Sequence, residues 1–449
     1  MSPTRSVDEV AADLGWELPT GPTAAGEVVD LLAAAVQGGL MASAGPRFFG
    51  FVVGGSLPAA TAADMLAAGW DQNAFNSVVS PAAGAAELVA GSWLKDVLTL
   101  PATASTGFVT GGQAANTAGL AAGRRWVLGE AGWDVEQRGL QGAPVVRVVA
   151  SAERHATIDR SLRLLGLGND SITAVAAEAN GSIDTHHLAE VLAQLDADIG
   201  SHSAGQAPPI VCLQAGNVNT GAFDDLKTAI ASVRKHGGWV HVDGAFGLWA
   251  AASPRTRHLV DGVELADSWG CDGHKWLNLP YDSGFAFCAH PQLAAAAMSY
   301  TAAYLTGSGT VSGMGDLTAE SSRRARGFAA WAALRELGRD GVEELIDRCC
   351  ALARRFAAGL ADGGAEIVND VVLNQVLVGF PATRTETPNG EADRIDRIVD
   401  VIHQDGTCWL GATTWRGRRL LRISVSNHLT TSSDIDRSVA AVLRAAAAA

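Results

Sequence analysis

Between residues 106 and 289 the chain alternates short apolar runs with stretches of helical pattern, and this alternation constrains the fold more than any other feature. The runs are TGFVTG (106–111), PVVRVVAS (144–151), SITAVAAE (171–178), PIVCLQAG (209–216), WVHVDGA (239–245), DSWGC (267–271) and GFAFCA (284–289). Segments such as NTAGLAAGRRWVL (116–128) and DDLKTAIASVRKHG (224–237) lie between them and space their apolar residues as helices do. Apolar strands interleaved with helices predict an α/β domain: a mostly parallel sheet with helices on both faces. Sheets of this kind place ligands beyond the carboxyl ends of their strands. The residues just after each run are therefore where chemistry is expected.

The flanking regions read differently. Residues 1–45 carry helical patterns broken by the turn LPTGPTAAG (18–26), and two more helical patterns follow around 57–71 and 82–97. Leu100-Pro101 marks a boundary. A long helical pattern begins near 323 (RRARGFAAWAALRELG), followed by AEIVNDVVLNQVLVGF, TCWLGATTW, RLLRISVSN and a helix opened by TTSSDIDRS. The expected organisation is a helical N-terminal segment (1–100), a large α/β domain (101–322) and a smaller C-terminal α+β lobe (323–449).

Bulk properties narrow the function classes. A chain of 449 residues exceeds one compact core, and 48% hydrophobic against 18% charged residues supports a large buried interior. The net charge of −14 repels phosphate backbones, so no nucleic acid partner is expected. The six cysteines form no CxxC pair and lie mostly in apolar runs, which predicts buried free thiols in a reducing compartment and no metal site. The N-terminus has no apolar signal core, and the longest apolar stretches are Ala-rich and interrupted. A cytoplasmic protein without a membrane span is expected.

Four strand ends carry candidate chemistry. The run TGFVT enters Gly111-Gly112-Gln113-Ala114-Ala115-Asn116 and then a helix; glycines allow backbone amides to approach an anion, and a helix N-terminus adds partial positive charge. An ordinary strand-to-helix turn would use the same glycines, and no GKS or GKT follows to make a P-loop. His155 lies between the run ending at Ser151 and a helical segment, where it either opens the helix or stacks on an aromatic ring. Asp243 ends an apolar strand, where a carboxylate needs a partner or a turn to cap. Lys275 sits in DGHKWLNLPYDSG (272–284), whereas Lys95, Lys227 and Lys235 all lie in charged helical contexts. An apolar setting and a neighbouring cation such as His274 turn a lysine into a nucleophile.

Taken in order, these residues resemble the group II pyridoxal phosphate-dependent amino acid decarboxylases. Thr110–Asn116 is similar to that family's glycine-rich phosphate turn, His155 to its strand-end histidine, His241–Ala245 to its HVDAA segment and Asp272–Trp276 to its DPHKW segment. Ser80-Pro81-Ala82, Gly221–Asp224, Arg323-Arg324 and Leu421–Ser424 extend the resemblance over roughly 46–440. It implies the aspartate aminotransferase fold (fold type I), pyridoxal 5'-phosphate as cofactor, and homodimers with the active site at the interface. It also implies roles. Lys275 would carry the cofactor as a Schiff base, and Asp243 would pair with its ring nitrogen. His155 would stack on one ring face, with Ala245 against the other. Gly111, Gly112, Gln113 and His274 would hold the phosphate. Asn217 would lie near the cofactor oxygen, and Arg422 would bind the substrate carboxylate.

Two departures stand out. Residues 305–322, which correspond to a mobile loop that often carries a tyrosine in this family, contain none; Met314 falls near the tyrosine's place. Ala114 replaces the usual acidic residue of the phosphate turn. The leading reading is decarboxylation of an L-amino acid to carbon dioxide and an amine. The loop keeps open a different reaction on an amino acid (transamination, aldehyde synthesis or aldolase-like cleavage). A non-catalytic relative serving as a binding subunit is the reading of another class. Phe49, Trp70, Phe75 and Trp415 are the aromatic candidates for a substrate side-chain pocket.

Overall fold

The apolar runs pair into one seven-stranded sheet. Its strands are β1 (Ser105–Val109), β2 (Val148–Ser151), β3 (Ile172–Val175), β4 (Ile210–Gln214), β5 (Trp239–Asp243), β6 (Ser268–Asp272) and β7 (Gly284–Cys288). They lie in the order β1-β7-β6-β5-β4-β2-β3. Strands β2 to β6 pair in parallel, and β7 is antiparallel to both β6 and β1. Strand β1 thus runs in the same direction as β6, and its carboxyl end reaches the same sheet edge. The computed structural model describes residues 2–201, 207–300, 314–381 and 388–449.

Alternate strand residues serve two faces, as the pleat requires. Val148, Ala150, Ile210, Cys212 and Trp239 face one cluster, built with Leu120, Val127, Ile158 and Leu162 from the helices Gly112–Glu130 and Ala156–Leu164. Val149, Val211, Leu213, Val240 and Val242 face the other, with Leu188, Leu192, Ile230 and Val233 from the helices Thr185–Ser201 and Leu226–Lys235. The expected helices on both faces are present.

A second sheet of four antiparallel strands follows in the C-terminal part of the chain. Strands β8 (Glu366–Ile367), β9 (Gln375–Gly379), β10 (Gly411–Trp415) and β11 (Arg418–Ser424) take the order β10-β11-β9-β8. The hairpin between β10 and β11 turns on Arg416 (φ 49) and Gly417 (φ 78), the positive pair that suits strand twist. The long helix Gly327–Asp362 breaks its regular dihedrals at Gly338 (φ 63). The last helix, Ser432–Ala448, opens with a capping box between Thr431 and Asp434. Among the described residues no helix is long and apolar enough to cross a membrane.

An N-terminal stretch stitches these parts together. Phe49 exchanges backbone bonds with Trp409 (2.7 Å) and Ser424 (2.9 Å). The Gly55 amide donates to the Asn278 side chain at 2.6 Å, and the Leu57 amide to the Asn278 carbonyl at 2.9 Å. Between them, a Cβ on Gly54 would collide with the backbone carbonyl of Lys275. Glycine is needed there for close approach, not for its dihedrals.

Candidate active site

The carboxyl ends of β1, β4, β5 and β6, with the loop after β2, border one cleft. Its lining includes Gly112, Gln113, His155, Asp243, Ala245 and Lys275, so residues far apart in sequence converge as expected. Phe246 is the aromatic side chain of the cleft, 6.0 Å from the Lys275 ammonium. Phe49 and Trp415 are instead buried in the core, Trp70 packs edge-on to Phe328, and Phe75 lies against Gly315. None of these four aromatic candidates lines the cleft.

Each polar group has a definite setting. Asp243 is 5% exposed, and one carboxylate oxygen caps the next turn by accepting the Ala245 amide at 3.2 Å. Its other oxygen has no hydrogen-bond partner among the described residues. Both anticipated uses of this aspartate are therefore available at once. Lys275 Nζ pairs with Asp272 Oδ2 at 2.9 Å. Asp272 also accepts the Gly112 amide, and its Oδ1 lies 3.3 Å from His274 Nε2. Sequence reading assigns this buried carboxylate no role; the one cue is an acid three residues before the lysine.

His274 stacks on Tyr281 with ring centroids 4.3 Å apart. Its Nδ1 accepts the Ser283 amide at 3.1 Å, which leaves the ring proton on Nε2, facing the Gly111–Gly112 turn. Burial lowers its pKa, against the opposing pull of Asp272. His155 caps the helix Ala156–Leu164: its Nδ1 accepts the Thr157 amide at 3.2 Å and lies 2.8 Å from the Thr157 hydroxyl. Burial lowers its pKa as well; Asp243 opposes this, while Lys275 and Arg422 reinforce it. Both imidazoles therefore favour the neutral form near pH 7.

Other sequence candidates lie at the margin. Gly111 caps the helix Gly112–Glu130, and a Cβ there would sit 2.8 Å from His274 Cε1. Asn217 turns its side chain into its own loop, donating to the Glu153 carbonyl (3.1 Å) and accepting the amides of Asn219 (2.9 Å) and Thr220 (3.3 Å). Its neighbours Gly216 and Val218 line the cleft instead. Arg422 donates to the Val218 carbonyl at 3.3 Å, and burial lowers its pKa. Ala114 packs against Val109, Ala115 and Ala286. Met314 packs with Ala74, Ala83 and Ala325, and its carbonyl accepts from Arg323 at 3.3 Å. Residues 305–313, half of the tyrosine-free loop, lie outside the described residues.

Behind the cleft, burial holds the His241 pKa down to about 3 from an ordinary 6.5. A lowered folded value means His241 contributes stability above about pH 6.5, which is lost as pH falls through about 3. Asp224, pushed up to about 6 by burial, works in the opposite direction. Comparing His241→Gln with the parent isolates the histidine. Denaturant midpoints at about pH 7.5 and about pH 5 should show a smaller acid-side loss in the variant.

Comparison with known proteins agrees with this geometry. The profile of the pyridoxal-dependent decarboxylase conserved domain matches residues 14–382. Tryptophan decarboxylase 1 of Oryza sativa subsp. japonica is 29% identical over 422 residues, covering 89% of this chain and 80% of that protein. An aromatic-L-amino-acid decarboxylase of Bacillus atrophaeus is 26% identical, covering 87% and 79%. The crystal structure of Oryza sativa TDC with PLP and tryptamine superposes with a TM-score of 0.91 at 24% identity, covering 100% of this chain and 93% of that one.

Proposed function

This chain belongs to the pyridoxal-dependent decarboxylase family, and from that premise we propose how its own residues divide the work of removing the carboxylate of an L-amino acid. It is a pyridoxal 5'-phosphate enzyme, an amino acid carboxy-lyase. The residues of the cleft fit that cofactor. A primary amine, a carboxylate with one uncommitted oxygen and a glycine turn at a helix N-terminus open on the same space. These match an aldehyde, a ring nitrogen and a phosphate. The carrying observation is the uncommitted Asp243 oxygen on the cleft that also holds Lys275.

Lys275 supplies the amine that bears the cofactor. Asp243 holds a proton at the ring nitrogen. The turn Gly111–Gln113 and the Nε2–H of His274 take the phosphate, the Gly112 amide being held by Asp272 and Gly111 leaving room for the histidine. His155 and Ala245 flank the ring, and Phe246 excludes water. Arg422 and the Asn217 loop border the substrate end, where the arginine meets the substrate carboxylate. When bound, the cofactor supplies an electron-withdrawing ring that takes up the electrons released as carbon dioxide departs. His155 or the freed Lys275 amine then returns a proton to the substrate carbon.

A panel of L-amino acids assayed for carbon dioxide and amine tests the reading. Equimolar amine and carbon dioxide support it; a keto acid, or an aldehyde in place of the amine, overturns it.

The protein acts as a homodimer. The N-terminal segment exposes large apolar side chains, among them Trp16 (80%), Leu18 (92%), Leu40 (70%), Met65 (69%) and Leu88 (70%). A patch of this kind calls for a partner surface. Light scattering should return twice the 46.3 kDa chain mass. Leu88→Glu should shift the mass toward the monomer and reduce activity. We place the enzyme in the cytoplasm, on the strength of six buried free cysteines. We divide it at residues 100 and 322, because each sheet lies wholly within one of the resulting segments.

A further inference from the structure

A chain of side-chain hydrogen bonds leads from the buried core to the half-buried His155. The Trp239 indole N–H donates to Ser268 Oγ at 3.1 Å, and indole can only donate. Ser268 Oγ lies 2.9 Å from His241 Nδ1. His241 Nε2 lies 3.0 Å from Asn116 Oδ1, an atom that can only accept. Asn116 Nδ2 donates to Thr157 Oγ1 at 3.3 Å, and Thr157 Oγ1 lies 2.8 Å from His155 Nδ1. The two ends fix the direction. His241 must donate from Nε2, so its Nδ1 accepts the Ser268 hydroxyl. The Thr157 oxygen accepts the Asn116 amide, and because His155 Nδ1 must accept from a backbone amide that can only donate, the Thr157 proton is directed to that nitrogen. The Thr157 backbone amide reaches the same nitrogen at 3.2 Å.

Three glycines make room for this chain. A Cβ on Gly119 would sit 2.7 Å from His241 Nδ1, and one on Gly123 2.9 Å from Trp239 Cδ1. A Cβ on Gly270 would overlap Asn116 Oδ1. Small residues from one helix and one strand thus accommodate three of the members.

We propose that Trp239, Ser268, His241, Asn116 and Thr157 form a one-directional hydrogen-bond chain that fixes His155 as its Nε2–H tautomer. The proposal rests on the reading that His155 faces the cofactor; the five residues are positioning groups and touch no reacting atom in that role. With two donors converging on Nδ1, the ring keeps its mobile proton on the opposite nitrogen. A catalytic imidazole in the wrong tautomer loses most of its value. The charged groups acting on His155 are Asp243, Asp272, Lys275 and Arg422.

Magic-angle-spinning spectra of ¹⁵N-histidine-labelled holoenzyme near pH 7, with His155 assigned by its loss in His155→Gln, read the tautomer without any folding question for the variants. The expected result is an unprotonated Nδ1 and a protonated Nε2. Thr157→Val should lower kcat about tenfold with KM within about twofold, and Thr157→Ser should restore it. Ser268→Ala, remote from the cleft, should mix the His155 tautomers and move the acid limb of the kcat/KM profile by up to about one pH unit. An Nδ1–H ring or an imidazolium in the parent spectrum overturns the proposal, as does parental kcat and pH profile in Thr157→Val. Parental turnover in His155→Gln, with the tautomer as expected, would instead overturn the placement of His155 at the cofactor and leave the chain standing.

Discussion

Lys275→Ala should abolish both the visible absorbance of the bound cofactor and amino acid turnover, the latter by on the order of 10⁴-fold or more. No other lysine among Lys95, Lys227 and Lys235 lines the cleft, so none can replace its amine. The substitution also strips the cation from Asp272, whose side chain is 3% exposed, and an unpaired buried charge threatens folding. Lys275→Arg keeps a cation there while removing the nucleophile. It should fold like the parent and be equally inactive. Borohydride reduction of the holoenzyme followed by peptide mapping should place the cofactor on residue 275. A label on another lysine, or parental turnover in either variant, refutes the assignment.

Asp243→Ala should retain part of the cofactor and lose about 10²- to 10³-fold in kcat, the usual effect of removing one preorganised charge from a reacting centre. The carboxylate also caps a turn through the Ala245 amide, so the alanine variant alone confounds two functions. Asp243→Asn separates them: an amide oxygen still accepts the Ala245 proton, yet cannot stabilise a protonated ring nitrogen. A comparable fall in kcat for both variants, with only the alanine lowering the unfolding midpoint, is expected. Near-parental kcat in Asp243→Asn would show that the turn is the aspartate's whole contribution.

The central strands of the large sheet were legible because they are buried on both faces, as in PIVCLQAG and WVHVDGA, and because turns bound each run. His155, Asp243 and Lys275 could be found because each ends or follows such a run. What escaped the sequence depends on pairing between distant segments. Asp272 gains its importance only when β6 brings it against the Gly112 amide. Asn116 and Thr157 look like ordinary helix-opening residues until the helices Gly112–Glu130 and Ala156–Leu164 pack together. The aromatic candidates failed for the opposite reason: bulky rings such as Phe49 and Trp415 fill the core, and composition cannot tell a wall from a filling. Asn217 illustrates a finer limit, since a side chain one position from the cleft can turn wholly into its own loop.

The contact between Gly54 and the Lys275 carbonyl makes the reactive amine dependent on a part of the chain that contributes nothing to its chemistry. A fragment starting near residue 100 would keep each acid, base and amide of the cleft, yet lack the strap that presses the lysine's peptide into place. Engineering that trims the N-terminus for solubility would thereby detune the catalyst, and even a single methyl group at position 54 should be felt at the amine.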